Sequence, residues 1–443
     1  MEDYRGELPD QNRKISPATV KMITIIVLIF LLMIPTGLIS GLINERSGRR
    51  MEAVDEISSK WGNAQMLCGP FITLPYKVLH RDTNAKGEPR TYYTHHKAHF
   101  LPNELNISGE VKPMTLSRGI YEAVVYNSTL NLTGAFKKFD LEKLGVNPQT
   151  VEWDKASLEI GISEMRGVTR RVSGEFNKVA LNMDPCLSSL DVFQTGISSP
   201  IEANASQDNY TFSFAIDING SYALQFIPLG QTTSVHLKSD WSSPSFFGAF
   251  LPSKRKVDPG FTASWNILDL NRDYPQAWTD RSYTVNSSSF GVKFINTADA
   301  YQQSERALKY AILFILITFV GFFLVEVITK VRIHPIQYAL VGMAIVIFYL
   351  LLVSVSEHIA FGGAYLASCI AVMILVTGYS SSVLKSRKFA LIVGGVYAVL
   401  YGYLFILLQL EDYSLVSGVA GLAVLLGLTM YLTRNIDWYA VEL

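Results

Sequence analysis

The sequence predicts a membrane α-helical bundle of six transmembrane helices, with a large β-rich domain inserted between helices 1 and 2. Six apolar runs have about 20 residues each, the length that crosses the hydrocarbon core of a bilayer. Between the first two runs, about 260 residues alternate polar and apolar positions as β strands do. Only 17% of the 443 residues are charged and 49% are hydrophobic, a balance that favours a membrane protein.

The first apolar run, residues 22–43, contains no charged side chain. It is long, and it lacks the small-residue signal that marks a cleaved secretory peptide. It is therefore predicted to stay in the protein as transmembrane helix 1. Residues 1–21 before it are expected to form a cytoplasmic tail.

Five more apolar runs follow in the C-terminal part of the chain and predict a five-helix bundle over residues 306–433. The connections between them have only a few residues, so neighbouring helices should be antiparallel. Residues 434–443 are expected to form a cytoplasmic C-terminus. The predicted helices are about 307–328, 336–355, 359–384, 389–410 and 413–433.

The distribution of Lys and Arg predicts the orientation, because positively charged short loops stay in the cytoplasm. Basic residues occur before helix 1 and in every second loop after helix 2: Arg13, Lys14, Lys21, Lys330, Arg332, Lys385, Arg387, Lys388 and Arg434. The opposite loops hold only acidic residues and a histidine: Glu357, His358, Glu411 and Asp412. Arg46, Arg49 and Arg50 argue the other way, but long domains translocate largely regardless of charge. Both termini are predicted in the cytoplasm, with residues 44–305 outside it.

The inserted region is predicted to be an extracytoplasmic β-rich domain, either one large or two smaller units. Tyr121–Phe136 and Ala156–Met165 alternate with a period of two and are predicted strands. Tyr210–Phe226 predicts a hairpin, because Asn219–Gly220 is typical of a tight primed turn. A separate amphipathic helix is predicted over Arg49–Trp61.

Charge and cysteine content exclude some classes of function. The formal net charge is zero without a basic cluster, so no nucleic-acid partner is expected. Three cysteines are too few for a disulfide framework. A Cys68–Cys186 bridge stays open if the domain faces an oxidising compartment, and free buried thiols are the favoured alternative. Cys369 lies in an apolar run and is expected to be a packing residue.

Four ionisable residues at the helix margins are the candidate functional positions, because such groups are costly in a bilayer. Glu326, His334, Glu357 and His358 would form a proton relay or metal site in the functional interpretation. His334 and Glu357, however, bracket the third helix and should lie about 30 Å apart. For Glu326, an ion pair with Lys330 one turn later is favoured. Glu357 and His358 are as consistent with a structural role, in which they cap the helix or contact the exposed domain, as with a functional one.

No enzymatic site, metal or cofactor is predicted. His95, His96 and His99 form a short histidine group, but strand residues at odd separations point to opposite faces, which disfavours zinc. The chain contains no H-E-x-x-H, no phosphate-binding loop and no G-x-S-x-G motif. Familiar hydrolase and nucleotide sites are therefore absent from the sequence.

The segment DWSSPSFFGAFLP, residues 240–252, is rich in aromatic residues and follows no period. Two interpretations stay open: the rings pack an irregular buried loop, or they form a docking patch for the membrane or a partner. The candidate docking residues are Trp241, Pro244, Phe246, Phe247, Phe250 and Pro252.

Several long and unusual segments are similar to those of the CreD family of bacterial inner-membrane proteins. They are GPFITLP from Gly69, DWSSPSFFGAFLPSKR from Asp240, ERALKYAILFI from Glu305, RIHPIQYALVG from Arg332, FYLLLVSVSEH from Phe348 and LTRNIDWYA from Leu432. The resemblance covers essentially the whole chain, in the same order of one helix, a large domain and a five-helix bundle. It implies a protein of the bacterial inner membrane, multi-pass, under the control of a two-component system.

The resemblance also implies a role in envelope integrity, tolerance to certain colicins and the response to cell-wall-directed β-lactams, without a catalytic residue or a cofactor. The leading hypothesis is a non-enzymatic envelope protein that acts through its periplasmic β domain. Its expected partners are membrane lipids and other envelope proteins. The alternative is a transporter or lipid-handling protein with its substrate path in the bundle, near Ser368, Thr377, Gly394 and Gly395. An envelope hydrolase is the least supported hypothesis.

Overall fold

The computed structural model describes residues 17–83, 89–294, 300–329, 331–384, 386–410 and 414–434. Most of both predicted tails lies outside these residues. Six of the charged residues that predict the orientation also lie outside them, two in the N-terminal tail and four in loops: Arg13, Lys14, Lys330, Lys385, Glu411 and Asp412. The chain divides into two compact units, Met1–Arg49 with Ala298–Leu443, and Arg50–Thr297. They are called the helical unit and the β unit. The limits of the β unit fall a few residues inside the predicted range of 44–305.

Five helices of the C-terminal part follow the apolar runs of the sequence closely, whereas the first helix extends well beyond its run. Helix α1 is continuous over 45 residues, Pro17–Trp61, so the predicted separate helix Arg49–Trp61 is its final part. The remaining helices are α2 Ala300–Lys309, α3 Ala311–Thr329, α4 Pro335–Ser356, α5 Phe361–Val383, α6 Arg387–Gln409 and α7 Ser414–Thr433.

Four helices in the described part of the chain are long and apolar enough to cross a membrane, namely α1, α4, α5 and α6. Helices α2 and α3 meet at a bend of 41° and satisfy the same criterion together. The apolar part of α7, Val416–Tyr431, is shorter. Among the described residues, the architecture is therefore a long apolar N-terminal helix, a large β-rich unit, and a C-terminal cluster of three candidate spans, or four if α2 and α3 form one bent span.

The first of two sheets in the β unit has eight strands. Their bounds are β1 Gln65–Thr83, β2 Pro89–Phe100, β5 Ser157–Ile162, β8 Gly196–Pro200, β10 Ala223–Ile227, β12 Pro244–Gly248, β15 Ala277–Thr279 and β16 Phe290–Phe294. Their order is β12-β16-β10-β1-β2-β15, with β5 beside β1 and β8 beside β5.

The second sheet also has eight strands. Their bounds are β3 Glu104–Arg118, β4 Tyr121–Lys137, β6 Ser173–Phe176, β7 Val179–Asn182, β9 Asn209–Ser221, β11 Thr232–Ser239, β13 Lys254–Val257 and β14 Phe261–Leu268. Their order is β13-β14-β11-β3-β4-β9-β6-β7. The predicted strand Tyr121–Phe136 is confirmed as β4, whereas the predicted strand Ala156–Met165 is confirmed only over the shorter β5, which ends at Ile162.

The inner faces of both sheets fill one apolar core. Strand β9 illustrates the pattern, since Phe212, Phe214 and Ile216 are buried while the residues between them are exposed. Trp265 of the second sheet and Phe290 of the first pack against each other with tilted rings, whose centroids are 5.5 Å apart. Burial of such large side chains is the main source of stability of the β unit.

The predicted hairpin over Tyr210–Phe226 is wrong. Asn219–Gly220 lies inside β9, where Asn219 pairs with Asn127 of β4. The chain turns at Tyr222, which has a φ of 63°, and then enters β10 of the other sheet beside β1. The Asn-Gly pair fits a tight turn locally, but an uninterrupted ladder along β4 satisfies more backbone groups.

The cysteines are unbridged. Cys68 and Cys369 are buried and Cys186 is exposed. The favoured prediction of free thiols is therefore confirmed, but the expected burial is wrong for Cys186. Burial raises the pKa of the Cys68 thiol well above its ordinary value, so this thiol stays protonated.

Candidate functional site

Glu326, near the end of α3, lies in a polar cluster inside the helical unit. Its side chain is 1% exposed and bonds to the Lys21 ammonium of α1. The Tyr338 hydroxyl of α4 donates to Glu326 Oε2 at 3.0 Å, and the Ile333 N–H donates to Oε1 at 3.0 Å. Lys21 also donates to the Ile333 carbonyl at 2.7 Å. Lys21, Glu326 and Tyr338 are called the first cluster.

The first cluster satisfies a carboxylate that would otherwise be very unfavourable there. A buried charge is tolerated when it is paired and its remaining lone pairs accept hydrogen bonds. Both oxygens of Glu326 meet this condition, through Lys21, Tyr338 and the Ile333 backbone. Lys330, the partner expected from the sequence, lies outside the described residues. The long-range partner Lys21, from a different helix, was not predicted.

Glu357, at the end of α4, lies in a second cluster. The Tyr301 hydroxyl of α2 donates to Glu357 Oε1 at 3.0 Å. Arg46 Nε of α1 lies 3.7 Å from the same oxygen. Arg46, Tyr301 and Glu357 are called the second cluster. It joins the start of α2, the end of α4 and a middle turn of α1.

The two clusters lie at opposite ends of α4. At 1.5 Å per residue, the 22 residues of α4 span about 33 Å. His334 caps the first end, because its Nδ1 accepts from the Ile336 N–H at 3.3 Å. His358 follows the second end and is exposed. The four predicted positions are therefore divided between two separate places.

The predicted docking segment, residues 240–252, packs three of its rings against the core of the β unit. Phe246 meets Trp265 edge to face at 5.7 Å, and Phe250 meets Phe290 at 6.0 Å. Trp241 packs against Phe294 at 6.5 Å. These contacts show that the three rings pack against buried aromatic residues of the β unit. A docking role of the partly exposed Pro244, Phe247 and Pro252 stays a prediction.

A buried polar network crosses three neighbouring strands of the first sheet. Thr73 Oγ1 of β1 lies 3.1 Å from His99 Nδ1 of β2, and both side chains are fully buried. His99 Nε2 lies 3.4 Å from Asp191 Oδ2. The Ser189 N–H donates to Glu159 Oε2 of β5 at 3.2 Å. The Ser189 hydroxyl also belongs to the network, because it donates to Asp191 Oδ2 at 2.7 Å.

Burial sets the charges in this network. It lowers the pKa of His99 to about 4, and the Asp191 carboxylate offsets only part of that effect. Burial also raises the pKa of Glu159, although Thr73, the Ser189 N–H and Ser157 bond to its carboxyl. His99 is therefore neutral at pH 7. Because Thr73 and His99 are inaccessible, this pair has the chemistry of a structural network rather than of an exposed nucleophile and base.

The other two histidines of the predicted group have different partners. His96 Nδ1 lies 2.7 Å from Asp280 Oδ2, and His95 Nδ1 lies 3.6 Å from Glu152 Oε2. Burial raises the pKa of Asp280, but the bonds from His96 and the Lys97 N–H outweigh it and hold the pKa below its ordinary value. Within the described ranges, no group of three metal-binding side chains occurs.

Tyrosines supply many of the buried polar groups in the described part of the helical unit. The Tyr365 hydroxyl donates to the Tyr401 carbonyl at 2.6 Å, and Tyr397 donates to Thr318 at 2.8 Å. The Tyr349 and Tyr401 hydroxyls are buried and have no hydrogen-bond partner among the described residues. Sequence reasoning missed this group, because tyrosines within apolar runs are not distinguished from other aromatic packing residues.

The chain is similar to known inner membrane proteins. A family model described as "Inner membrane protein CreD" matches residues 17–439. The "Inner membrane protein CreD" of Escherichia coli strain K12 is 33% identical over 434 residues, which cover 97% of this chain and 95% of that protein. The similarity therefore includes the long first helix, the β unit and the C-terminal helices.

Proposed function

The chain belongs to the CreD family of inner membrane proteins, and on this premise we propose that it maintains envelope integrity under stress by binding, not by catalysis. The β unit, Arg50–Thr297, would act outside the cytoplasmic membrane by engaging other envelope components. The observation that carries the proposal is this self-contained unit of two eight-stranded sheets, far larger than an anchor or linker requires. A unit of that size offers a broad binding surface.

The ionisable groups of the helical unit support a scaffold role for its helices. Glu326 is paired with Lys21, and Glu357 accepts from Tyr301 near Arg46. Groups that are engaged in this way hold helices together and are not free to bind a substrate. The alternative, transport or lipid handling, draws its support from the buried hydroxyls of Tyr349 and Tyr401, which have no hydrogen-bond partner in the part of the chain that the structure describes.

The proposed topology has six crossings and both termini in the cytoplasm. Helices α2 and α3 would form one bent crossing, and α7 the sixth. Contacts within the helical unit support the alternation, because the first cluster joins the start of α1 to the end of α3 and the start of α4. The second cluster joins the opposite end of α4 to the start of α2. Lys21, Arg332 and Arg387 would then lie on the cytoplasmic side.

The exposed thiol of Cys186 provides a native test of this topology. A membrane-impermeant maleimide added to spheroplasts is expected to label the wild-type protein, because the β unit faces outward and Cys68 and Cys369 are buried. Cys186→Ser should abolish the labelling. In that background, Ser386→Cys, between α5 and α6, should react only after the membrane is permeabilised. Labelling of the wild-type protein only after permeabilisation would reverse the proposed orientation.

Replacing residues 62–297 with a flexible linker tests the function. The variant should insert in the membrane but fail to restore tolerance to a cell-wall-directed β-lactam in a strain that lacks the protein, because the binding unit is gone. Growth is the measurement, and the amount of protein in the membrane fraction is the control. Full tolerance at equal membrane abundance would contradict the proposal and direct attention to the helical unit as a transporter.

A further inference from the structure

A groove of about 640 Å³ lies beside β7 in the β unit, and no sequence motif predicts it. Trp153, Phe176, Val179 and Leu181 contribute apolar surface to it. Volumes of this size are typical of ligand-binding clefts. This feature is called the β7 groove.

Carboxylates are the charged groups of the β7 groove. Asp154 and Glu202 belong to its lining, which contains no Lys or Arg. The neighbouring Lys155 is engaged by Glu152, whose Oε1 accepts its ammonium at 2.7 Å. The groove therefore combines an apolar surface with negative charge, which favours a ligand with aliphatic and basic groups and disfavours an anionic one.

Strand β7 presents an open backbone edge at this groove. It pairs with β6 through residues 173–182, and no other described strand pairs with it. Asn177 and Lys178 have φ values of 51° and 67°, as in a two-residue primed turn, so Phe176 and Val179 form a hydrogen-bonded pair. Because bonded and non-bonded pairs alternate, the N–H and C=O of Ala180 point away from β6.

The two edges of the second sheet differ in their side chains. The opposite edge strand, β13, begins with three consecutive charged and exposed residues, Lys254, Arg255 and Lys256. Charged side chains are a usual means of preventing a further strand from pairing. Strand β7 has the sequence VALN without a charge, and Val179 is 61% exposed. The β7 edge therefore lacks the protection that the β13 edge has.

We propose that the β7 groove binds an extended peptide segment of another envelope protein as an added strand beside β7, with aliphatic and basic residues at every second position, on the face that meets the groove. Main-chain hydrogen bonds to Ala180 would supply affinity, and alternate side chains would enter the groove beside Val179 and Leu181. Asp154 and Glu202 would select Lys or Arg at the rim. This inference rests on the proposed function and names the chemistry of the partner.

The test uses the full-length protein in nanodiscs of uncharged lipid and a fluorescein-labelled hexapeptide, Lys-Thr-Val-Thr-Lys-Thr, whose lysines and valine lie on one face of an extended strand. Fluorescence anisotropy should show saturable binding below ~1 mM. The peptide Glu-Thr-Val-Thr-Glu-Thr should bind at least about tenfold more weakly, because Asp154 and Glu202 repel its glutamates. Equal binding of the two peptides, or no saturable binding, would overturn the proposal.

Variants at the two edges of the sheet give a matched comparison. Val179→Lys should weaken binding of the basic peptide about tenfold or more, whereas Val257→Lys, at an exposed valine of β13, should leave it unchanged. Ala180→Pro should also weaken it, because proline removes the outward N–H. If Ala180→Pro unfolds, the comparison relies on Val179→Lys, since an exposed position tolerates lysine. Equal effects at Val179 and Val257 would contradict the proposed site.

A glycan is the competing ligand. Displacement of the peptide by tetra-N-acetylchitotetraose would assign the groove to a saccharide and overturn the peptide proposal. These measurements are independent of the growth assay. If no peptide binds while the linker variant still loses β-lactam tolerance, the groove proposal is wrong and the proposed function stands.

Discussion

Glu326→Gln is expected to destabilise the helical unit by about 3 kcal/mol, because it leaves the Lys21 ammonium, whose side chain is only 15% exposed, without its counter-charge. Glutamine keeps nearly the same shape and can still accept from Tyr338, so the loss reports the charge. Helix content followed by circular dichroism in mixed micelles of mild detergent and dodecyl sulfate gives the unfolding free energy. Adding Lys21→Met should recover most of the loss, because no unpaired charge is then left.

Glu357→Gln is the matched control for this prediction. Its pair is looser, with 3.7 Å between Arg46 Nε and Glu357 Oε1, and the Arg46 side chain is 37% exposed. Pairs of this kind contribute about 1 kcal/mol or less. The expected order is therefore a large effect at Glu326 and a small one at Glu357. Similar losses at both positions, or no recovery in the Lys21→Met background, would contradict a buried ion pair at the first cluster.

Acidification is expected to destabilise the β unit through His99. The pKa of this residue is about 4 in the folded protein and about 6.5 when unfolded, so the unfolded chain takes up the proton first. Stability is therefore lost as the pH falls from about 6.5 towards about 4. Relative to a variant without the imidazole, the wild-type protein should lose about 2 kcal/mol between about pH 7.5 and about pH 5.

His99→Gln is the reference variant, and urea unfolding followed by tryptophan fluorescence is the measurement. Trp265 and Trp278 are buried in the β unit and report its unfolding. Glu159 acts in the opposite direction, because a raised pKa means that its stabilising contribution is present at low pH and lost as the pH rises. The difference between the two proteins isolates His99. Parallel pH dependence of wild type and variant would show that His99 does not titrate with folding.

Sequence predicted the helices best. The predicted helix 336–355 corresponds to α4, Pro335–Ser356, and the predicted helix 389–410 corresponds to α6, Arg387–Gln409. An apolar solvent requires every backbone group of a crossing segment to be satisfied within the segment, so length and hydropathy suffice to place it. Strand positions were also accessible from alternation, as β4 and β5 show.

Partners distant in the chain could not be predicted. Lys21 and Glu326 are 305 positions apart, and nothing in the local pattern of either residue identifies the other. The Asn219–Gly220 turn failed for a related reason, because pairing of β9 with β4 outweighed a local turn signal. The same holds for residues 240–252, whose rings fill gaps between strands distant in sequence and therefore follow no period.

The two clusters at the ends of α4 also constrain the bilayer itself. Lys21 and Arg46 of α1 are 25 positions apart, or about 38 Å along the helix axis, and each is tied to the other helices at its own end. For a chain that crosses as proposed, these ties prevent α1, α3 and α4 from sliding past one another to match a thinner membrane. The helices would instead have to tilt together, or the surrounding lipid would have to deform. Hydrophobic matching would thus favour membranes of one thickness.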